Sequence, residues 1–535
     1  IKRYSRQAEN ALHCAEFWTA LAADCRRENQ KKLDELWQKL LFCQFHDILP
    51  GTSIKRVCDE AEKDLQQVIA DSNNLVETSA RSAIGTASVA HWAALNTLSW
   101  TRNELVKSPE TGNYITISVP PCGWARVQPS SKAAASMQNN SKQNSARSVS
   151  AVSCKTAGKD NDKSVELENA FLKIIIDKNG ELVSLFDKEN GSELCAAPCN
   201  HFCMYKDVTP FYDAWELPPM YKDAPVELQK GAEITVLDKT QDYVRLQIQK
   251  KLHNSDLMQI ITLRNSSRRI DFETKIDWHE KHKLLKTAFP LNIQTDEAVS
   301  ETQFGYVKRP VGASHQFEKD RYEVCNHRYT AVADTSHGAA LLNDCKYGVS
   351  VRNRVISLSL LRSPVIPDMY ADQGLQRMSY SLYVFNGSFA ESGTVREAYN
   401  LNSPLQFVRI NSCAPPVMAK SAIREVHSNA AAAHSDTPLE PVIKQKQYFS
   451  VDNPRIILET VKPSDAEPQN SVLRLYESSG GNADASLTVQ IPFNTYVMTD
   501  MAENPISERK KTDNGRIQLH FRPFEIKTIL LEIKK

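Results

Sequence analysis

The chain has 535 residues, and its 65 Lys and Arg side chains almost balance its 64 Asp and Glu side chains, giving a formal net charge of +1. That balance excludes a general attraction to nucleic acid or to an anionic membrane, whereas a neutral ligand is compatible with it. No apolar run approaches the roughly 20 residues needed to span a bilayer, so we expect no membrane contact. A chain of this length is too long for one hydrophobic core, so we predict several domains. A homo-oligomer is compatible with the sequence.

Three amphipathic helices are predicted over residues 1–90. Apolar side chains recur at helical spacing from Gln7 to Cys25, again from Leu33 to Leu41, and a third time from Ile54 to about Ala83. One apolar stripe per helix is typical of a small bundle in which the stripes face each other. We therefore predict a three-helix bundle at the start of the chain.

The rest of the chain is predicted to be β structure with two interruptions. Short alternating runs with Pro and Gly punctuation predict a small β domain over 91–128, a large antiparallel β-sandwich over 164–426 and a C-terminal β domain over 439–535. Residues 129–163, rich in Ser, Ala, Asn and Lys, predict a disordered insertion, and residues 427–438 a linker. The predicted fold class is thus multidomain α+β, a three-helix bundle followed by antiparallel β-sandwich domains.

The 12 cysteines are scattered without the regular spacings of a disulfide framework, which favours reduced thiols and a cytoplasmic protein. Cys195, Cys199, His201 and Cys203 lie within nine residues and could in principle hold zinc. Pro198 interrupts that spacing, and no second pair repeats it. We therefore favour small, mostly buried residues in a loop between strands.

One segment combines a metal-capable imidazole with a carboxylate: Gln44-Phe45-His46-Asp47-Ile48-Leu49-Pro50-Gly51-Thr52-Ser53. The preceding helix must end here, because Pro50 has no amide hydrogen and Gly51 suits a left-handed turn. His46 could bind a divalent ion, although zinc needs at least three protein ligands and the others would come from elsewhere. Without further context a His before such a turn is more often structural, and Asp47 could instead cap local amides.

This segment closely resembles the Gln-x-His-Asp-x-x-x-Gly-Thr/Ser signature of the α-mannosidases of glycoside hydrolase family 38, above all their cytosolic branch. Further matching phrases cover essentially the whole chain and lie at residues 212–216, 278–286, 303–305, 326–328 and 341–348. The resemblance implies a helical middle domain followed by β domains. It also implies a preceding β/α barrel with a His-x-Asp zinc pair and an aspartate nucleophile, so we expect this chain to be the C-terminal portion of such an enzyme.

The resemblance also assigns roles to two residues of the segment. His46 is expected to be a ligand of zinc, or of cobalt, and Asp47 to hydrogen-bond mannose hydroxyls beside the metal. Family members are retaining enzymes, in which an aspartate attacks the anomeric carbon and a second carboxyl serves as acid and base. Both carboxyls would belong to the barrel, so no catalytic residue is expected in this chain, and the chain alone is expected to be inactive. The implied substrate is a mannose-containing oligosaccharide.

Three residues farther along are candidates for contacting that sugar. Tyr212 and Trp215 offer aromatic faces and Asp213 offers a carboxylate, a combination that suits the apolar faces and hydroxyl edges of sugars. The alternative is that both rings fill a core and that Asp213 caps a turn. The sequence does not decide between these two interpretations.

Two other matched phrases are interpreted as structural. His327 and Arg328 are expected to support the fold, with the Arg holding a loop carboxylate. The charged run at residues 278–286 is interpreted as a solvated, ion-paired strand edge.

The predicted function is a zinc-dependent retaining α-mannosidase acting on terminal α-linked mannose in the cytoplasm. A non-catalytic carbohydrate-binding or scaffold protein is the alternative, favoured if a start codon lies just before Ile1. A third interpretation, a processed subunit of a lysosomal mannosidase, requires a signal sequence upstream and disulfides among the cysteines.

Overall fold

The computed structural model describes residues 1–128, 152–157, 164–412, 444–512 and 514–534. The predicted linker and most of the predicted insertion lie outside these residues. Within the predicted insertion, however, Ser153–Ala157 is a strand that pairs antiparallel with Ser164–Glu168, so disorder was wrong for this part. Val152 is buried and Cys154 packs against the core, two apolar contacts that the Ser- and Lys-rich composition around them concealed.

The predicted three-helix bundle is confirmed, with helices α1 (Lys2–Leu21), α2 (Arg26–Cys43) and α3 (Lys55–Ile84). Each helix buries an apolar stripe that contains predicted positions, such as Trp18, Leu33 and Leu65. Leu41 departs from the prediction, because it lies on the exposed side of α2. None of the helices in the described ranges is long and apolar enough to cross a membrane.

Helix α1 packs against the C-terminal strands as well as against the bundle. Its Phe17 ring lies edge-on to Phe449 at a centroid distance of 6.3 Å, and Trp18 lies edge-on to Tyr448 at 6.0 Å. The bundle, the small β domain and the C-terminal strands consequently share one apolar core. The boundaries predicted near residues 90 and 439 therefore do not separate independent cores.

The small β domain draws strands from distant parts of the chain. A two-stranded sheet pairs Arg102–Lys107 with Tyr114–Val119. A four-stranded sheet has the order Gln406–Ile410, His91–Asn96, Gly123–Arg126 and Gln445–Gln447. The domain is thus not built from residues 91–128 alone, as the sequence had suggested.

The predicted large antiparallel sandwich is confirmed and contains three sheets. The first has nine strands, in the order Glu233–Lys239, Tyr243–Leu252, Ser255–Arg264, Arg269–Trp278, Gly374–Asn386, His337–Asn343, Tyr329–Ala333, Glu297–Thr302 and Gly305–Pro310. The second has six strands, in the order Pro225–Val226, His201–Lys206, Lys283–Pro290, Val355–Arg362, Gly348–Arg352 and Val324–Cys325. The third has five strands, in the order Ser153–Ala157, Ser164–Glu168, Leu172–Ile176, Leu182–Asp187 and Ser192–Glu193. Their inward-facing apolar residues form a single large core.

The remaining elements complete the sandwich and the C-terminal domain. Helix α4 (Gln316–Asp320) and the 3₁₀ turn Pro219–Asp223 connect sandwich strands, whereas the 3₁₀ turn Phe389–Glu391 and helix α5 (Thr394–Asn402) lead from the sandwich to strand Gln406–Ile410 of the small β domain. The C-terminal domain has a three-stranded sheet of Phe449–Val451, Ala483–Val489 and Arg516–Phe521. Its second sheet has the order Ile456–Pro463, Ser471–Glu477, Ile526–Ile533 and Phe493–Thr499.

The charged run at residues 278–286 is not the solvated strand edge that the sequence predicted. Trp278, Glu280 and Lys286 are all buried. Lys286 Nζ lies 2.7 Å from both carboxylate oxygens of Glu323 and donates to Ser359 Oγ at 2.9 Å. A lysine can be buried here because its strand lies inside the six-stranded sheet and a carboxylate from elsewhere in the chain neutralises its charge.

We expect Lys286→Met to destabilise the sandwich by about 3–5 kcal/mol, because the largely buried Glu323 would lose its cation. Urea unfolding followed by tryptophan fluorescence measures the change. The matched control is Lys308→Met, since the Lys308–Glu297 pair is also within direct contact, at 3.1 Å, but is exposed on both sides. That substitution should cost less than about 1 kcal/mol. Equal losses in the two variants would contradict the burial argument.

Candidate functional site

The turn after α2 presents His46 to solvent. Helix α2 ends at Cys43, and the following turn closes at Gly51, whose φ of 82° lies in the left-handed region. The His46 ring lies against Phe45, with centroids 4.3 Å apart, and the His46 side chain is 67% exposed. The imidazole is therefore accessible to a ligand that approaches from outside the bundle.

Asp47 lies beside His46 on the same exposed turn. Its Oδ2 is 3.6 Å from His46 Nε2, and its Oδ1 accepts a hydrogen bond from the Thr52 hydroxyl at 3.3 Å. The Asp47 carbonyl accepts a second hydrogen bond from Ser53 Oγ at 2.7 Å, which ties the two ends of the turn together. Among the hydrogen bonds of the described residues, hydroxyls rather than amides contact this carboxylate. The predicted amide-capping alternative is therefore not observed there.

Tyr212 and Trp215 project from the loop that follows strand His201–Lys206. Their exposed fractions are 74% and 59%, and the neighbouring Phe211 is exposed as well. The core-filling alternative for these two rings is therefore wrong. Exposed aromatic rings on one loop are a surface on which the apolar face of a sugar could stack.

Asp213 differs from its two neighbours, because its carboxylate is buried. Its Oδ2 accepts hydrogen bonds from the backbone amides of Val365 at 2.6 Å and Ile366 at 3.2 Å. Its Oδ1 is 3.4 Å from His282 Nδ1. These contacts match the turn-capping alternative raised from the sequence, and a direct contact of Asp213 with substrate stays a prediction.

Arg362, which was not among the residues predicted from the sequence, connects the loop that carries Tyr212 to residues 363–373. Its guanidinium bonds to the Asp207 carboxylate and to the backbone carbonyl of Glu216, and it donates to the Ala214 carbonyl at 3.3 Å. A lone Arg at a strand end has no distinguishing local pattern, so no signal in the sequence identified it. Together Asp213 and Arg362 hold the Tyr212 loop against residues 363–373.

The His46 turn adjoins these two loops. Lys2 Nζ donates to the Pro50 carbonyl at 2.8 Å. Burial lowers the pKa of Lys2, and the charge of Asp372, from the second loop, opposes that effect. At the start of α3, hydrogen bonding to Asp59 raises the pKa of Lys55, and Asp368 of the second loop adds to the rise. Residues 363–373 thus lie near the His46 turn and also hold the Tyr212 loop, and we call the surface around the His46 turn the His46 face.

This face offers a divalent metal one imidazole and one carboxylate. Within the described residues, no group of three or more His, Cys, Asp or Glu side chains is arranged to hold a metal. His46 and Asp47 therefore supply at most two of the three or more protein ligands that zinc needs, and ligands from elsewhere stay a prediction. Cys195 and Cys199 do not form the alternative site, since both are buried and their thiols donate to backbone carbonyls.

His327 and Arg328 support the fold. Arg328 Nε donates to Glu301 Oε1 at 2.9 Å, and the guanidinium lies 3.7 Å from the centre of the Tyr399 ring. Burial alone would raise the pKa of Glu301, but the charge of Arg328, the Arg328 hydrogen bonds and the His327 ring 3.4 Å away lower it to about 2. The carboxylate that the sequence analysis expected Arg328 to hold is Glu301.

Three family profiles match the chain in the order of its domains. Residues 1–82 match the alpha mannosidase middle domain, residues 167–370 the glycosyl hydrolases family 38 C-terminal domain, and residues 455–529 the glycosyl hydrolases family 38 C-terminal beta sandwich domain. The chain belongs to glycosyl hydrolase family 38. The matched ranges coincide with the helical bundle, the large sandwich and the C-terminal β domain.

Curated relatives in this family are longer than the present chain. Alpha-mannosidase 2C1 of Homo sapiens is 32% identical over 556 residues, which cover 100% of this chain and 49% of the relative. The alpha-mannosidase of Saccharomyces cerevisiae is 27% identical over 564 residues, which cover 99% of this chain and 46% of the relative. The chain therefore spans about half the length of the curated relatives it matches.

Solved structures share this family 38 fold. The crystal structure of an alpha-mannosidase from Enterococcus faecalis V583 superposes with a TM-score of 0.74 at 17% sequence identity. The match covers 99% of this chain and 67% of that chain. At this identity the likeness concerns the fold, including the arrangement of the bundle against the β domains.

Acid should weaken the fold through Glu301. Its folded pKa of about 2 lies below the ordinary 4.5, so its stabilising effect is complete above pH 4.5 and is lost as the pH falls towards 2. The loss should reach about 3 kcal/mol. Urea unfolding at several pH values compares wild type with Glu301→Gln, and the difference between them should shrink over this window. A constant difference would contradict the assignment.

Proposed function

We propose that the protein is the C-terminal part of an α-mannosidase that removes terminal α-linked mannose from oligosaccharides. Support comes from family 38 membership and from relatives that are named alpha-mannosidases. The observation that carries the proposal is that exposed His46 and Asp47 stand on a turn near residues 363–373, the segment that also holds the loop of exposed Tyr212 and Trp215. Together these residues offer ligand groups for a metal and aromatic surfaces for a sugar.

Each of these residues has a defined part in the proposal. His46 would coordinate zinc, or cobalt, through its exposed imidazole, and Asp47 would accept a hydrogen bond from a mannose hydroxyl next to it. Zinc, when bound, would supply Lewis-acid attraction for the sugar hydroxyls. Tyr212 and Trp215 would stack on the sugar, while Asp213 and Arg362 keep their loop in place. A tight fit to the flattened sugar ring lowers the barrier only where it is stronger than the fit to the substrate.

The proposed mechanism is the retaining one, with a covalent glycosyl intermediate on a carboxylate and a second carboxyl acting as acid and then base. We propose that both groups come from a barrel domain that packs on the His46 face. The exposed apolar side chains there, including Phe45, Tyr370 and Met369, are the kind of surface that another domain covers.

A cytoplasmic location is proposed with it. All eleven cysteines within the described residues carry free thiols, several of them buried. A lysosomal enzyme matures in an oxidising compartment, where disulfides form and persist. The alternative of a processed lysosomal subunit has no disulfide to support it in the described part of the chain.

The decisive experiment uses the longer product obtained by extending the coding sequence upstream, assayed on an aryl α-mannoside with and without a chelator. We expect chelator to abolish hydrolysis and added zinc or cobalt to restore it. His46→Ala should lower kcat/KM by at least about 100-fold, because an enzyme that loses this metal ligand also loses the metal.

His520→Ala is the matched control, since His520 is also exposed and pairs with an aspartate, Asp484, at 2.8 Å in the C-terminal domain. Its activity should equal that of the wild type. If the coding sequence starts just before Ile1, or if His46→Ala keeps full activity, a non-catalytic carbohydrate-binding protein becomes the better description.

Trp215→Ala should raise KM about five- to tenfold with a smaller change in kcat, because a stacking ring binds the ground state and the transition state alike. Steady-state kinetics on a mannose disaccharide measures the split. Phe317→Ala, which removes an equally exposed ring from α4, should change neither constant. A fall in kcat alone would argue against a stacking role.

A further inference from the structure

A second candidate site is a cleft between helices α1 and α2, the large sandwich and the C-terminal domain. We call it the second cleft. Its volume is about 400 Å³, within the range of small-molecule sites. Its walls come from both helices, from the Gln303–Phe304 turn of the sandwich and from strand Ile456–Pro463 of the C-terminal domain. No residue of the His46 turn, the Tyr212 loop or residues 363–373 lines it. From Lys2, beside the His46 turn, to His13 in the cleft, α1 rises by about 16 Å.

His13 stands among carboxylates at the centre of one wall. Its Nε2 lies 3.6 Å from Glu459 Oε1, and the indole of Trp37 donates to Glu16 Oε1 at 2.8 Å. Burial would lower the pKa of His13, but Glu459, Glu16 and Glu9 raise it overall. The imidazole is therefore more basic than an ordinary histidine side chain and lies beside several hydrogen-bond acceptors.

The side-chain oxygen of Gln30 is a hydrogen-bond acceptor in the wall that has no donor. The residue is only 8% exposed, and its side-chain oxygen has no hydrogen-bond partner in the structure. Its amide nitrogen is already used, donating to Asp34 Oδ1 at 2.9 Å. A buried carbonyl without a donor costs free energy, and a hydroxyl placed in the cleft would remove that cost.

The charges that line the cleft nearly cancel. The acidic side chains in its lining are Glu9, Glu16, Asp34, Glu459 and Asp465, and the cationic or basic ones are His13, His327, Arg328, Lys462 and Arg474. Lys462 is already paired with Glu503 at 2.7 Å. A strongly charged ligand would find little net attraction here, whereas a neutral molecule with many hydroxyls can use donors and acceptors together.

Aromatic side chains supply the apolar part of the wall. Trp37, Phe304 and Tyr399 all line the cleft. Phe304 is held edge-on by Tyr476 at 5.5 Å, and Trp37 is held edge-on by His13 at 5.6 Å. Rings held in fixed orientations beside polar groups suit the alternating apolar faces and hydroxyl edges of a pyranose.

We propose that this cleft is a second carbohydrate site, which binds about one or two neutral pyranose rings at the junction of the bundle, the sandwich and the C-terminal domain. The site goes beyond the proposed function, since it is separate from the His46 face and requires no metal and no hydrolysis. Because all three domains contribute to its walls, an occupied cleft also stabilises their arrangement, by an amount that rises with the logarithm of the ligand concentration once this exceeds Kd.

Isothermal titration on the present chain at pH 7 tests the site with methyl α-D-mannoside and cellobiose as neutral probes. A ligand of this size should bind with a Kd on the order of 1 mM. Gln30→Leu removes the unpaired acceptor without changing charge, and Glu9→Gln neutralises a second wall residue near the surface. Each should weaken binding about tenfold, while Phe317→Ala, which removes an exposed ring outside the cleft, should leave this binding unchanged. Circular dichroism confirms that each variant is folded, and the milder Glu9→Gln carries the test if Gln30→Leu is not.

Three outcomes would overturn the proposal. One is the absence of binding by either sugar. Another is binding that Trp215→Ala abolishes and both cleft variants leave intact, since the sugar site would then be at the Tyr212 loop. The third is tighter binding of spermidine than of either sugar, which would make the cleft a site for organic cations. None of these results depends on mannosidase activity, so a failure here and a failure of the proposed function are distinguishable.

Discussion

Burial of helix α1 between the β domains is the constraint on which the other features depend. Near its start, Arg6 donates to the Asn402 side chain at 2.7 Å and to the His327 carbonyl at 3.1 Å. Near its end, Phe17 and Trp18 enter the core shared with the C-terminal strands. A buried guanidinium is tolerated only with such partners, so these contacts set one position of the helix against the sandwich.

Both candidate sites follow from that position. The first turn of α1 reaches the His46 turn, where Lys2 donates to the Pro50 carbonyl at 2.8 Å and Gln44 donates to Ser5 Oγ at 3.4 Å. The middle turns of α1 carry Glu9 and His13 into the second cleft. One helix therefore connects the surface that bears His46 to the junction of three domains, and a displacement of α1 would alter both places.

The local sequence pattern was sufficient to predict elements whose apolar spacing is visible among neighbouring residues. The apolar stripes of the three helices and the alternation of the sandwich strands follow from which face each element buries, and residues 1–84 were predicted accordingly. Sheet partners were not predictable in the same way, since strand His91–Asn96 pairs with Gln406–Ile410 from the other end of the sandwich. The prediction that Lys286 is exposed was wrong, because its partner Glu323 is remote in sequence and only the fold brings the two together.

The sequence by itself determined that a metal-capable His46 and Asp47 would stand where helix α2 ends, because Pro50 and Gly51 cannot continue a helix. It also determined the order of helical and β domains, since the spacing of apolar residues that distinguishes a helix from a strand is visible among neighbouring residues. Tertiary structure alone decided that Tyr212 and Trp215 are exposed while Asp213, on the same loop, is buried. The difference arises because exposure depends on contacts such as those of Arg362, which join segments far apart in the chain and leave no local pattern.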